Sequence, residues 1–145
     1  MSEKSSTASL FQKVAHIGIA VRDGEKTAAL MSDVLGAVAK GTTVSEERGI
    51  KITFLDVGGT SVELLEPAGS DSQVSKFLET RGEGFHHIAF EVPNIQEALA
   101  NLRKASVKLI EPAPSKGTHG SLVAFIHPSS MNGVLVELCE TQQQD

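Results

Sequence analysis

His16 opens the run His16-Ile17-Gly18-Ile19-Ala20-Val21, and His87 opens a second run of the same kind, His87-Ile88-Ala89-Phe90-Glu91-Val92. A Val-Glu-Leu follows each, at Val62-Glu63-Leu64 and at Val136-Glu137-Leu138. The interval from His to Glu is 47 residues in the first half and 50 in the second. Imidazole and carboxylate together suit borderline or hard divalent ions such as Zn, Co, Mn, Ni or Fe(II), and the absence of thiolate argues against a closed structural zinc site. A single strand His or Glu is usually satisfied elsewhere or solvated. Two matched pairs instead read as one module written twice, with His16, Glu63, His87 and Glu137 gathered by a pseudo-twofold axis. Four protein ligands out of six leave two positions for substrate oxygens.

The elements that must position these groups follow from the pattern. Val14–Val21 reads as a strand ended by the turn signal Arg22-Asp23-Gly24. A helix over Glu25–Leu35 carries Ala28, Leu30, Met31, Val34 and Leu35 at helical spacing, with Gly36 as its C-cap. Strands at Ala37–Thr43, Ile50–Val57 and Thr60–Leu65 complete a βαβββ unit over residues 13–67, and Glu66-Pro67-Ala68-Gly69 reads as a linker. Asp71 or Ser72 can cap a short linker helix over 70–80.

The second unit, over 84–140, repeats the order. Phe85–Val92 is a strand, and Asn94 with Glu97 fits a capping-box-like start for a helix carrying Ile95, Ala98, Leu99, Leu102 and Ala105. Val107–Ile110, Val123–His127 and Val134–Cys139 supply three more strands. The segment Pro112–Gly120 between them reads as a polar, mobile loop, and such loops often carry ligand contacts. Residues 1–12 and 141–145 read as flexible tails on a single domain over 13–140.

Strand alternation sets the direction of the side chains. His16 shares a face with Gly18 and Ala20, opposite Ile17 and Ile19. His87 shares one with Ala89 and Glu91, and Glu137 one with Leu135 and Cys139. Each ligand candidate thus lies opposite an apolar row that can pack on helices. The simplest α+β solution is a pair of mixed, curved sheets with helices outside and a hollow, partly polar inside.

Composition narrows the partners. The chain has 145 residues, 40% of them apolar, and neither Trp nor Tyr, so its core is built from Ile, Leu, Val, Ala and Phe. A net charge of −5 argues against nucleic acid or an anionic membrane as the main partner. One cysteine gives no internal disulfide and fits a reducing compartment. No apolar run approaches the roughly 20 residues that span a bilayer.

With these residues in place, the chain resembles the vicinal-oxygen-chelate superfamily, built from paired βαβββ modules around a divalent metal. Within it the chain is similar to the methylmalonyl-CoA epimerase family. The likeness runs from Val14 to Glu140 through Glu63-Leu64-Leu65-Glu66-Pro67, Gly84-Phe85-His86-His87-Ile88, Gly117-Thr118-His119-Gly120, Phe125-Ile126-His127-Pro128 and Gly133-Val134-Leu135-Val136-Glu137-Leu138. It implies that His16, Glu63, His87 and Glu137 hold the metal, Co2+ ahead of Mn2+, Ni2+ or Zn2+, with no organic cofactor. It also implies that Glu137 exchanges the substrate's α-proton on one face, through an enolate. Some relatives place the opposite acid/base three residues after the Gly of a Glu-x-Gly motif. That Gly is Gly49 here and the position is Ile52, so Glu47 is the nearest replacement.

The resemblance further implies an acyl-CoA substrate, its phosphates near Lys116 and His119, and a homodimer. It implies a cytoplasmic setting in bacteria or archaea and the mitochondrial matrix in eukaryotes. His86 points to the face opposite His87, and Cys139 reads as a small core residue. Two rivals stay open: a glyoxalase-type lyase acting on a glutathione hemithioacetal, and a non-catalytic binding protein of the same fold. A ring-cleaving dioxygenase would want two His and one carboxylate around Fe(II), in a larger chain.

Overall fold

The computed structural model describes residues 11–69 and 71–140. The tail expected over 1–12 lies outside them up to residue 10, and that over 141–145 entirely. The described chain is α+β, and its elements run β1 (Lys13–Ala20), α1 (Gly24–Leu35), β2 (Val38–Ser45), β3 (Ile50–Val57), β4 (Thr60–Pro67), α2 (Gln73–Arg81), β5 (Gly84–Glu91), α3 (Ile95–Lys104), β6 (Leu109–Lys116), β7 (Leu122–Ile126) and β8 (Val136–Glu140). The βαβββ order therefore occurs twice. Two compact units divide the chain, His16–His86 and residues 87–145 with 1–15.

In the unit His16–His86, the strand order is β2-β3-β4-β1. β1 runs parallel to β4 with Gly18 opposite Glu63, and β3 runs antiparallel to both β4 and β2. One face carries Ile19, Val21, Leu55, Val62 and Leu64, packed by Ala28 and Met31 of α1. The other face carries a second cluster of Ala20, Ile50, Ile52 and Leu65, covered by Val74 and Leu78 of α2. Helix α1 starts where Asp23 accepts the Lys26 N–H at 3.0 Å. It ends at Gly36, which takes φ 75. There the Ala37 N–H reaches Met31 O at 3.0 Å and the Gly36 N–H reaches Ser32 O at 3.2 Å, so the left-handed glycine turns the chain back over carbonyls of the last turn. Of the two expected caps for α2, Ser72 serves, accepting the Ser75 N–H at 3.0 Å.

In the other unit the order is β5-β8-β7-β6. β5 runs parallel to β8 with Ala89 opposite Glu137, while β7 is antiparallel to β8 and β6. Val92, Leu109, Ala124, Ile126, Val136 and Leu138 form the row that packs on Ile95, Ala98 and Leu99 of α3. Asn94 caps that helix, accepting the Glu97 N–H at 3.0 Å.

The two ladders repeat residue for residue. Each β5 residue lies 71 positions after its β1 counterpart, and each β8 residue 74 after its β4 counterpart.

Two expectations fail. Where Glu66 and Pro67 read as the start of a linker, β4 continues through both, paired with Lys51 and Ile50. Pro112–Lys116 is not a loop but the second half of β6. Proline signals a break because it cannot donate to a ladder, yet it is tolerated on an edge strand or at a bulge. β6 is such a strand, with its register against β7 shifting between Ile110 and Ser115. The turn after it, Thr118–Gly120, is closed by the Gly117 N–H on Ser121 O at 2.9 Å and the Ser121 hydroxyl on Thr118 O at 2.8 Å.

Candidate functional site

Parallel partners in a sheet share a face, so Gly18 opposite Glu63 puts His16 and Glu63 on one side of the β1–β4 pair. His16 Nδ1 stands 3.2 Å from Glu63 Oε2, and both side chains are only 11% exposed. Gly18 and Ala20 follow along the same face, with Ala20 fully buried in the α2 cluster. The second unit builds the same arrangement. Ala89 opposite Glu137 aligns His87 with that carboxylate, and His87 Nε2 stands 3.1 Å from Glu137 Oε1, again buried. Phe125 of β7, opposite Glu137, meets the His87 ring edge to face, with centroids 6.3 Å apart.

Donors at these separations suit a metal ion. Two ligands about 2.1 Å from one ion lie about 3.0 Å apart at a 90° angle and about 3.4 Å apart at a tetrahedral one. The observed 3.2 and 3.1 Å fall inside that range. Imidazole nitrogen and carboxylate oxygen are also the donors that borderline divalent ions take. Each pair therefore fits a divalent metal by donor type, spacing and burial.

Glu47 is not brought to this group. It lies exposed in the β2–β3 turn beyond the last pair, Ser45 opposite Ile50, whereas Glu63 pairs with Phe54. Four residues of strand separate Ile50 from Phe54, about 13 Å at a strand's rise per residue. Ile52 occupies the Glu63 face of β3, opposite Leu65, and is buried in the α2 cluster. His86 turns away from His87, as alternation requires, and meets Phe77 at 4.8 Å between ring centroids. His127 follows β7, its Nδ1 accepting the Ser129 N–H at 3.0 Å.

Lys116 ends β6, and His119 sits in the following turn with φ 57. Cys139 is buried and Glu91 half-buried, opposite each other in the β5–β8 ladder. Two residues escaped the sequence reading. Glu66 accepts the Gly24 N–H at 2.7 Å and Glu140 the Ile95 N–H at 2.6 Å. The signal was present as a repeated Glu-x-x-Glu, at 63/66 and 137/140.

Comparison with known proteins agrees with this geometry. A family model described as the Glyoxalase/Bleomycin resistance protein/Dioxygenase superfamily matches residues 15–125. Mouse mitochondrial methylmalonyl-CoA epimerase is 37% identical over 137 residues, covering 94% of this chain and 77% of that protein. The chain belongs to that superfamily, and within it to the methylmalonyl-CoA epimerase family. The crystal structure of the family member from Mycobacterium tuberculosis aligns with a TM-score of 0.89 at 31% identity, covering 94% of this chain and 93% of that one. A Streptomyces coelicolor methylmalonyl-CoA epimerase variant, solved in complex with 2-nitronate-propionyl-CoA, aligns at 0.85 and 34% identity, covering 92% of this chain and 99% of that one. Among the described residues, no helix is long and apolar enough to cross a membrane.

Proposed function

We propose that the chain is an isomerase, a methylmalonyl-CoA epimerase, which interconverts (R)- and (S)-methylmalonyl-CoA in propionyl-CoA metabolism. The observation that carries this reading is the likeness to methylmalonyl-CoA epimerases over more than nine-tenths of the chain. Its ligand is an acyl-CoA thioester, and the reaction removes the proton at carbon 2 and returns it to the opposite face. The glyoxalase-type lyase and the binding protein are less well supported, because the relatives named for this chemistry match along the whole fold.

His16, Glu63, His87 and Glu137 would together hold one divalent cation, for which cobalt is our first choice. Such an ion supplies Lewis-acid stabilisation of the charge that develops as the proton leaves, worth several kcal/mol. The remaining work falls to the chain's own groups. Glu137 takes and returns the proton on one face of the substrate. For the other face, Ile52 offers no acceptor and Glu47 stands away, in its turn. Glu63 is the counterpart of Glu137 in the repeat, and we assign the second face to it. The site would work in the cytoplasm of a bacterium or archaeon, or in the matrix of a mitochondrion.

One labelling experiment tests the activity. Purified protein loaded with Co(II) is incubated with a single isomer of methylmalonyl-CoA in heavy water, and deuterium is expected at carbon 2 of both isomers. If carbon 2 stayed protonated while a glutathione hemithioacetal was turned over, the lyase reading would take its place.

We also propose a homodimer formed through α1. Leu30, Val34 and Leu35 are 59%, 68% and 69% exposed, whereas the residues 71 positions on are Asn101, in α3, and Ala105 and Ser106, just past its end. Only the first module therefore presents an apolar outer helix face. Lys26 and Asp33 flank Leu30 on either side, so two such helices docked antiparallel about Leu30 bring Lys26 of one near Asp33 of the other. Sedimentation velocity should find a dimer that Leu30→Glu with Val34→Glu converts to monomer. A monomeric parent, or a variant that stays dimeric, would count against this surface.

A further inference from the structure

Each ligand strand carries a second carboxylate that the proposed reaction does not use. Glu66 follows Glu63 by three residues, and Glu140 follows Glu137 by three. An odd spacing along a strand sends the two side chains to opposite faces. The first carboxylate of each set joins its His. The second accepts the first N–H of a helix, Gly24 of α1 at 2.7 Å or Ile95 of α3 at 2.6 Å.

That helix is no arbitrary neighbour. α1 begins four residues after the end of β1, the His16 strand, and α3 begins four residues after the end of β5, the His87 strand. Each carboxylate thus closes a ring of structure: His strand, helix start, carboxylate, Glu strand. The ladder runs on toward it, through the Val21 N–H on Leu65 O at 2.9 Å in one module and the Val92 N–H on Cys139 O at 3.0 Å in the other. The fit in the first module is close, since a Cβ added at Gly24 would lie 2.8 Å from Glu66 Oε1.

These bonds cap N–H groups that the local caps leave open, and they come from a different element. Each helix already has a side-chain cap from its own approach loop, Asp23 for α1 and Asn94 for α3. Those caps hold the helix to its own preceding turn, while Glu66 and Glu140 reach it from the neighbouring strand. The placement matters because a one-residue slip between paired strands turns every side chain to the other face, and a smaller slide draws His and Glu apart.

We propose that Glu66 and Glu140 are positioning residues. They set how far each His strand is drawn along its Glu strand, and so hold imidazole and carboxylate at the spacing a shared cation needs. The binding readout of this inference rests on the metal reading given above; a second readout does not.

The test compares Glu140→Ala with Asn94→Ala, since both remove a bond from the start of α3 but only the first cuts the tie to β8. Thermal unfolding of the metal-free proteins should show similar losses for the two. Calorimetric titration with Co(II) should then separate them. Glu140→Ala is expected to weaken binding about tenfold, at the low end for groups that support metal ligands, with Asn94→Ala within about twofold of the parent. Glu140→Gln keeps an acceptor oxygen and should recover most of the affinity. Equal weakening by both alanine variants, or none by Glu140→Ala, would overturn the proposal.

Amide hydrogen exchange of the metal-free proteins provides the second readout. Glu140→Ala should speed exchange at residues 87–89 and 136–138 more than Asn94→Ala does, and an identical pattern would also overturn the proposal. A parent that took up no Co(II) would instead remove the metal reading, and this exchange difference would still decide the positioning role.

Discussion

Replacing Glu63 or Glu137 by Gln should separate proton exchange from epimerisation. The amide keeps an oxygen donor for the cation but can no longer carry the substrate's proton. With one carrier gone, the other still removes the proton from the isomer that presents it and returns solvent deuterium to the same face. Each variant should therefore place deuterium in one isomer only, opposite isomers for the two variants. Inversion, followed by circular dichroism, should fall about 10²–10⁴-fold, the usual contribution of a positioned acid or base. The double variant should neither exchange nor invert. Parental epimerisation by both single variants would reduce the carboxylates to ligands. Loss of exchange in both isomers from Glu137→Gln alone would mean that one group serves both faces.

Placement of the His and Glu side chains was legible in the sequence, because alternation along a strand is strict: Ile17 and Ile19 had to face the helix if His16 did not. Helix ends were legible too, since Gly36 and Asn94 have few other uses beside an apolar helical run. β6 was hidden because edge position, which makes Pro112 and Pro114 acceptable, is a property of the sheet and not of the segment. Glu47 was favoured for its nearness in sequence to the missing Glu at Ile52, but a hairpin carries its turn away from its middle at over 3 Å per residue. Glu66 was absorbed into an apparent linker with Pro67, and only its pairing with Lys51 across the β3–β4 ladder shows that the strand continues through it.

The pairing that alternation exposed carries the other large effect. His16→Ala and His87→Ala should each weaken Co(II) binding by more than the roughly 10–100-fold that outer-shell substitutions cost, because each removes a donor outright. They should also weaken it to similar extents, since the repeat gives the two rings equivalent places on β1 and β5. Stability has to be measured alongside. In the metal-free protein each change takes the imidazole from a carboxylate that is 11% exposed, in Glu63, or 7% exposed, in Glu137. Losing a hydrogen-bond partner of a buried polar group costs about 1–3 kcal/mol. Removing both members, as in His16→Ala with Glu63→Leu, should restore much of that stability while leaving Co(II) binding lost. Such a result would show that the pairs are kept for the cation and not for the fold. If instead both single variants bound Co(II) as tightly as the parent, the four residues would not form its site.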